Sequence, residues 1–415
     1  IRGNRYFKTA LIRNKLVYLK KGEAFNYESL RKGLVKINEQ PDRNAKAYLM
    51  PGQEPGTTDI DIEVKDQLPI HAGFDWDNYG SRYVNKNRYR LTLTDNNLFG
   101  WDDILTLQYQ VARGENYVFV NGRYLLPVTP TWKLGFFAAR SAVKLRKDFE
   151  DLNVRGKSRL YSIYGIKTLV EEQDINLNLN FGFDYKDVFN FQAGDETSRD
   201  RMRVLKAGWD LDVSDGFGRT IFTNDLNYGL ADFMGGLQKK DPAHASRDGS
   251  GGKFVKDTVN LLRLQRMPYD SALLWKNQLQ FSPNILTATE QFQIGGIANV
   301  RGYPPAELVG DKGYSMTWEW SFPPYLIPKD FKVPFMQANF YEALRLVFFY
   351  DWANTRLRRP AAGEQKDRTL RSVGTGLRLN LPNDFSARLE FAWPLDNTPS
   401  DGSHLHTWTE ISKSF

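Results

Sequence analysis

Arg301 is the residue from which chemistry can be built. It sits in the stretch Gln291-Phe292-Gln293-Ile294-Gly295-Gly296-Ile297-Ala298-Asn299-Val300-Arg301-Gly302-Tyr303, a poor strand and an impossible helix. Glycine opens backbone conformations that other residues avoid, and Pro304-Pro305 forbids helix or central strand beyond it. A long loop that folds tightly therefore carries one guanidinium at its turn. That group is a planar fork of donors, able to hold carboxylates in fixed geometry. Two acids answer to it. Trp318, Trp320 and Phe322 alternate around Glu319, and Phe348, Tyr350 and Trp352 alternate around Asp351. Side chains of a strand alternate between faces, so both acids lie opposite an apolar face. If residues 282–310 fold back inward, Arg301 reaches Glu319 and Asp351. The residues alone allow a second arrangement, with Arg301 solvated and the acids merely keeping an interior wet.

Catalytic chemistry finds less material. A serine or threonine nucleophile needs a base in reach, and the histidines are His71, His244, His404 and His406. His244 lies in a glycine- and charge-rich segment, Asp241–Gly252, read as a mobile loop. His404 and His406 follow Asp401-Gly402-Ser403, but residues adjacent in sequence seldom converge on one substrate. His71 reads as an interfacial residue at the entrance of the strand-rich region. The sequence shows neither a metal-ligand cluster nor a phosphate-binding glycine loop, because Gly295-Gly296 lacks the strand–helix context of one. These observations point to a non-enzyme without cofactor or metal.

Composition narrows the class. Hydrophobic residues make up 41% of the 415 residues, too many for a disordered chain. Mean hydropathy is -0.52, too low for a helical membrane protein. No run of about 18 apolar residues marks a transmembrane helix, but a β-barrel hides its lipid face from such averages. With 56 basic and 49 acidic residues the net charge is +7, and no block of like charge dominates, so a nucleic-acid partner has little support. There are no cysteines, hence no disulfide framework. No signal peptide is visible, and Ile1-Arg2-Gly3-Asn4 reads as the inside of a domain, which places the mature N-terminus upstream.

Two kinds of pattern divide the chain. Residues 1–68 read as a small α/β module. Helical spacing runs over Lys8 to Leu19 and Tyr27 to Ile37, with Asn26 or Glu23 as the start of the second helix. Strands follow at Ala45–Met50 and Thr57–Val64. From residue 69 to 415 the period is two. In Ile175–Lys186 the residues Ile175, Leu177, Leu179, Phe181, Phe183 and Tyr185 share one face, and asparagines, Asp184 and Lys186 the other. Sixteen such segments are predicted, from 70–79 to 405–415. Roughly ten residues per strand suits a tilted membrane-spanning strand. Connections after even strands are mostly tight; those after odd strands are long and polar, at 143–156, 188–199, 230–253, 282–310, 354–367 and 394–404. Bacterial barrels have short periplasmic turns and long outer loops, so the module faces the periplasm. The connection 323–342 breaks the rule. The expectation is an all-β membrane protein: a 16-stranded antiparallel transmembrane β-barrel behind an N-terminal α/β domain, acting as a monomer in a lipid bilayer.

The stretch from Glu290 to Tyr303 resembles the Val-Arg-Gly-Tyr/Phe loop of the Omp85 superfamily. Its Glu-Gln-Phe and Gly-Gly are similar to the TpsB branch, the outer-membrane transporters of two-partner secretion. Asn78-Tyr79-Gly80-Ser81-Arg82, Asp95-Asn96-Asn97-Leu98-Phe99-Gly100 and Leu126-Pro127 before Trp132 resemble that branch's first barrel strands. The Gly-Asn start, Gly22-Glu23 and Thr58-Asp59-Ile60 resemble a POTRA domain lacking most of its first strand. The last residues, Leu405 to Phe415, resemble the C-terminal signal read by the barrel-assembly machinery, with Lys413 interrupting the apolar face. The resemblance implies that Val300, Arg301, Gly302 and Tyr303 form the loop motif and that Arg301 docks on Glu319 and Asp351. Trp352-Ala353 departs from the motif, where relatives often carry glycine. It also implies export of a large unfolded partner polypeptide, bound first by the POTRA domain, without nucleotide or cofactor. The alternative within the superfamily is an assembly factor of the barrel-insertase or TamA type.

Overall fold

Residues 175–192 show how the wall is made. Strict alternation lets a strand show an apolar face outward and a polar face inward, and this segment is one unbroken strand, β9 (Ile175–Gln192). Fifteen more complete a closed barrel in the computed structural model, which describes residues 1–415 except Tyr18, Lys21, Glu115 and Phe335. Before β9 come β3 (Ile70–Asp77), β4 (Arg88–Asp95), β5 (Ile104–Ala112), β6 (Tyr117–Thr129), β7 (Trp132–Lys144) and β8 (Arg155–Glu171). After it come β10 (Asp195–Asp215), β11 (Gly218–Gly229), β12 (Val255–Met267), β13 (Ser271–Phe281), β16 (Lys312–Phe322), β17 (Leu344–Arg356), β18 (Asp367–Leu381), β19 (Phe385–Pro394) and β20 (His406–Ser414). Each pairs antiparallel with its neighbours in sequence, and β20 closes on β3. That seam holds five residue pairs, Glu410↔Asp77 to Ser414↔Gly73. The β9–β10 pair holds eighteen. Closure leaves no unpaired strand edge in the wall, which a bilayer core requires.

The turns at one end are short, as between β10 and β11 or β18 and β19. The connection 188–199, expected as a polar loop, is instead strand: β9 and β10 continue to the pair Gln192↔Asp195. Phe189 and Phe191 keep the alternation going, and Ala193-Gly194 supplies a two-residue turn at positive φ. Polarity marked this segment as water-exposed, not as irregular. The connection 323–342 is long but folded, with a short helix α3 (Phe340–Ala343). Its Tyr325 hydroxyl donates to Tyr269 O at 2.6 Å, tying it to the next turn of the rim.

The N-terminal module packs α1 (Thr9–Arg13) and α2 (Tyr27–Asn38) on a sheet of β1 (Arg43–Pro51) and β2 (Thr58–Asp66). Phe7, Ile12, Ile37, Ala45, Ile62 and Val64 form its core. Asn26 caps α2 by accepting from Ser29 N at 3.1 Å. The first helix is shorter than the periodicity of Lys8–Leu19 implies. It turns into a 3-10 turn at Asn14–Leu16, and no side chain caps its start; a short helix without a cap has little to hold it beyond packing. Tyr18, within that expected helix, lies outside the described residues. Arg2 pairs with the free side of β2 as an isolated parallel bridge. Two consecutive residues seat the module on the barrel. Arg43 grips Asp102 with two bonds of 2.7 and 2.9 Å, and Asp42 accepts from Gln67 at 2.9 Å and Asn96 at 2.7 Å. His71, read as an interfacial residue, lies 2.7 Å from the same Asp42 and belongs to this joint.

Leu179 faces out and Asn178 faces in, where it meets Thr168 Oγ1 at 2.9 Å. A charge on the lipid face costs about 2–4 kcal/mol at the bilayer midplane. Leu179→Arg is therefore expected to lower the yield of folded, heat-modifiable barrel well below that of Asn178→Arg. Equal yields would contradict the orientation of β9.

Candidate functional site

The segment between β13 and β16 turns inward and is built to do so. It forms a small hairpin, β14 (Phe292–Ile294) with β15 (Leu308–Gly310). Gly295 and Gly296 take φ of 108° and 86°, a region that side chains avoid. Gly296 N then donates to Tyr303 O at 2.9 Å, closing the turn. Asn299 Oδ1 accepts from Gly295 N and Val300 N, both at 2.8 Å. Val300 and Tyr303 are buried with Ile294, Ala353 and Leu370, so the apolar side of the turn is pressed to the wall. Ala353 is the position at which the sequence departs from its motif, and its methyl group is part of this contact. At Gly302 a Cβ would lie 2.7 Å from Ser372 Cβ, so only glycine permits the approach.

The turn delivers Arg301 to the inner faces of β16, β17 and β19. Its Nε and one terminal nitrogen each donate to Asp351 at 2.9 Å, a bidentate pair. The other terminal nitrogen donates to Glu319 at 2.8 Å and to Glu390 at 3.2 Å. Its backbone N–H also donates to Asp351, at 3.1 Å. Its carbonyl accepts from the Trp408 indole at 2.8 Å. The guanidinium carbon lies 3.3 Å from the centroid of the Phe349 ring. Thr317 and Ser372 donate to the remaining lone pairs of Asp351. Arg378 is a second cation, bonded to Glu319 at 2.7 Å and Glu390 at 2.8 Å. Arg301, Glu319, Asp351 and Glu390 are all at most 5% exposed. Burial works against the charge on Arg301, but Asp351, Glu390 and Glu319 outweigh it and the group holds its proton more firmly than usual.

The loop has two further anchors. Buried Glu290 lies between Lys186 of β9 and Lys256 of β12. Burial alone would raise its pKa; the two lysines pull it down to about 2. Arg247 bonds Asp311 at 2.6 Å, and Asp311 also accepts from Leu286 N at 2.8 Å. The loop is thus fixed at both shoulders as well as at its tip.

The structure brings Val300, Arg301, Gly302, Tyr303, Glu319 and Asp351 into one cluster and leaves Phe415 elsewhere. The Phe415 side chain is exposed at the barrel rim, and its backbone N–H donates to Ala72 O at 2.8 Å. Sequence reasoning missed Glu390, Arg378, Phe349 and Trp408. The first three were open to the parity argument: Phe391 and Trp393, Leu377 and Leu379, and Phe348 and Tyr350 set their faces outward. Trp408 was not, because it is a large apolar residue that faces the lumen. Lys413, which breaks the apolar run, turns its ammonium to Asn383 O and Ser414 O at the rim. Segment Asp241–Gly252, read as mobile, is packed in place. Ser246 bonds Asp200, and His244 Nδ1 lies 2.9 Å from Asp241. Of the candidate catalytic residues near the C-terminus, His406 lies 3.2 Å from Asp401, but Ser403 meets Asp401 through its backbone N–H. No hydrogen bond joins Ser403 to His406 among the described residues.

Comparison with known proteins points one way. The family model described as haemolysin secretion/activation protein ShlB/FhaC/HecB matches residues 56–379. The heme/hemopexin transporter protein HuxB of Haemophilus influenzae is 23% identical over 398 residues, 94% of this chain and 67% of its own length. The outer membrane transporter CdiB of Dickeya dadantii is 22% identical over 338 residues, 77% of this chain and 58% of that protein. The solved structure of CdiB from Escherichia coli superposes with a TM-score of 0.79 at 16% identity, covering 98% of this chain and 74% of that one.

Removing Arg301 strands buried Asp351 and leaves Glu319 and Glu390 to Arg378 alone. Breaking such a pair costs on the order of 3–5 kcal/mol when burial is complete, and less beside a wet lumen. Arg301→Ala and Asp351→Ala are each expected to release the loop, read as faster proteolysis between 282 and 310, while Arg301→Lys retains part of the protection. All three barrels insert, because the hydrogen-bonded wall does not depend on the loop. A double-mutant cycle between Arg301 and Asp351 should show coupling of about 0.5–3 kcal/mol; additive losses would mean the contact holds nothing.

Proposed function

Because the chain belongs to the haemolysin secretion/activation family of ShlB, FhaC and HecB, an outer-membrane two-partner secretion family, we propose the route by which it exports its partner polypeptide. Residues 1–68 act as a POTRA domain in the periplasm and take hold of the unfolded partner. Strand β1 has β2 on one side, and past Ala45, whose N–H and C=O are bonded by the Asn38 side chain, its other edge is open among the described residues. A groove of about 550 Å³ beside it is lined by Tyr27, Leu34, Val35 and Leu49. An extended peptide added to that edge gains main-chain bonds with loose sequence demands, and the groove takes alternate side chains. From there the path leads through a cavity of about 750 Å³ between module and barrel mouth, lined by Lys15, Lys36, Glu39 and Trp101 on one side and Asn176, Asn178 and Asp210 on the other.

The carrying observation is the loop clasped in the lumen by Arg301. A polypeptide entering from the module meets it, and a hydrogen-bonded ion pair in a polar lumen can be exchanged for water and re-formed. The clasp therefore both shapes the pore and opens it. The barrel works without nucleotide or catalysis, as a monomer. Phe415, exposed at the rim, serves as the signal for the barrel-assembly machinery during biogenesis.

Deleting residues 1–66 is expected to abolish secretion of a co-expressed partner while the barrel still reaches the outer membrane. Arg301→Ala should lose most secretion, and Arg301→Lys should keep a measurable part. Full secretion without the module, measured as partner protein in the culture medium, would refute its role.

A further inference from the structure

At the end of the barrel opposite the module, five cations converge on one cleft. Lys239, Lys240, Lys253, Arg358 and Arg359 line a space of about 600 Å³ together with Pro283 and Asn284. The cations come from two separate connections, those following β11 and β17, and meet over the connection following β13, so the convergence is a product of the fold and not of a basic run in the sequence. Arg359 has one acid, Asp248 at 3.1 Å, and both side chains of that pair are largely exposed. Among the described residues no carboxylate pairs with Lys239, Lys240, Lys253 or Arg358. Arg358 is held in place, its Nε donating to Ser282 O at 3.1 Å and its backbone N–H to Asp311 at 2.8 Å. Like charges gathered in a cleft repel one another and focus a positive field. An anion relieves both effects.

The surroundings say which anion. Just below the cleft the outer wall passes from apolar to basic. Phe281 is exposed on the outward face, and the Lys312 ammonium lies 4.1 Å from its ring centroid. Arg356 shares the outward face of β17 with Trp352 and Tyr350. The lipid-facing belt thus runs upward through Trp352 and Phe281 into Lys312 and Arg356, and the cleft opens directly above. That is the level of headgroups, where basic pockets meet phosphate. Arginine forks and lysine ammoniums are the donors that phosphate oxygens take.

We infer that this cleft binds the phosphate group of an anionic lipid headgroup in the leaflet farther from the module, fastening the outer connections to the membrane surface. The inference rests on placing the barrel in the outer membrane, which a heat-modifiable gel shift and membrane fractionation check independently. The test uses the full chain purified in neutral detergent and three probes: a bisphosphorylated glucosamine glycolipid (lipid A), the same glycolipid without its phosphates, and inorganic phosphate. Retained lipid is counted by native mass spectrometry. The wild type is expected to keep the phosphorylated glycolipid about ten-fold or more in preference to the dephosphorylated one. The variant K239Q/K240Q/K253Q/R359Q, altered only at exposed side chains, should lose that preference. Asp248→Asn, which frees Arg359, should strengthen it. Displacement of the glycolipid by inorganic phosphate at equal phosphate concentration would assign the cleft to free phosphate and overturn the lipid reading. Equal retention of both glycolipids, or equal retention by wild type and the glutamine variant, would overturn the site itself. So would retention of an acidic polypeptide in place of the glycolipid.

Discussion

The pairing of Arg301 with Asp351 is the constraint on which the interior depends. A mostly polar lumen gives an entering loop only a small apolar contact, at Ala353 and Leu370, and closing a loop of this length costs chain entropy. The loop is held because one guanidinium satisfies three carboxylates at once and lies flat on Phe349. The dependence runs both ways. Glu319, Asp351 and Glu390 would be buried carboxylates without a counter-charge if the two arginines that face them were absent. Loop and wall are therefore each incomplete alone, and the glycines on either side of the turn exist to bring the two halves within bonding distance.

A second set of charges does comparable work for the whole molecule. Asp42 and Arg43 lie side by side at the start of β1, and they reach opposite kinds of partner on the barrel, Asn96 and His71 for one and Asp102 for the other. Lys15 adds to the hold on Asp102 at 2.8 Å, and Lys36 of α2 pairs with Glu171 of β8. These contacts are all polar. Such a joint fixes direction through charge and hydrogen bonds.

The wall was legible because its physics is local. Alternation is written residue by residue, and a barrel strand that loses it exposes the wrong side chains to lipid. All sixteen strands fall where period two places them, and the inward positions of Glu319 and Asp351 follow from the aromatics around them. What stayed hidden is non-local. In 188–199 the alternation of Phe189 and Phe191 is masked by the polar residues around it, which serve a solvated hairpin as well as a loop. Glu290 carries no mark of its partners, because Lys186 and Lys256 are brought to it by strands far apart in the chain. Trp408 defeated the parity rule outright: an indole that serves as a donor to Arg301 O looks, in sequence, like one more lipid-facing aromatic. The length of the first helix was lost for a different reason, in that periodicity describes a face but not the absence of a cap.

The seam between β3 and β20 carries a consequence for how the molecule comes into being. It is the shortest ladder in the wall, and it joins residues as far apart as Gly73 and Ser414. Every other ladder joins strands that follow one another round the wall and can pair as soon as both exist. This one cannot form until β20, the last strand of the barrel, is in place. The curled sheet therefore has to wait, open along one side, with two strand edges seeking partners, and contacts of such separation form late and slowly. An unclosed sheet of this kind is soluble nowhere: its outer face needs lipid and its edges need hydrogen bonds. The ring is thus finished by its least extensive contact, and a barrel without β20 would keep nearly all of its wall and still have no inside.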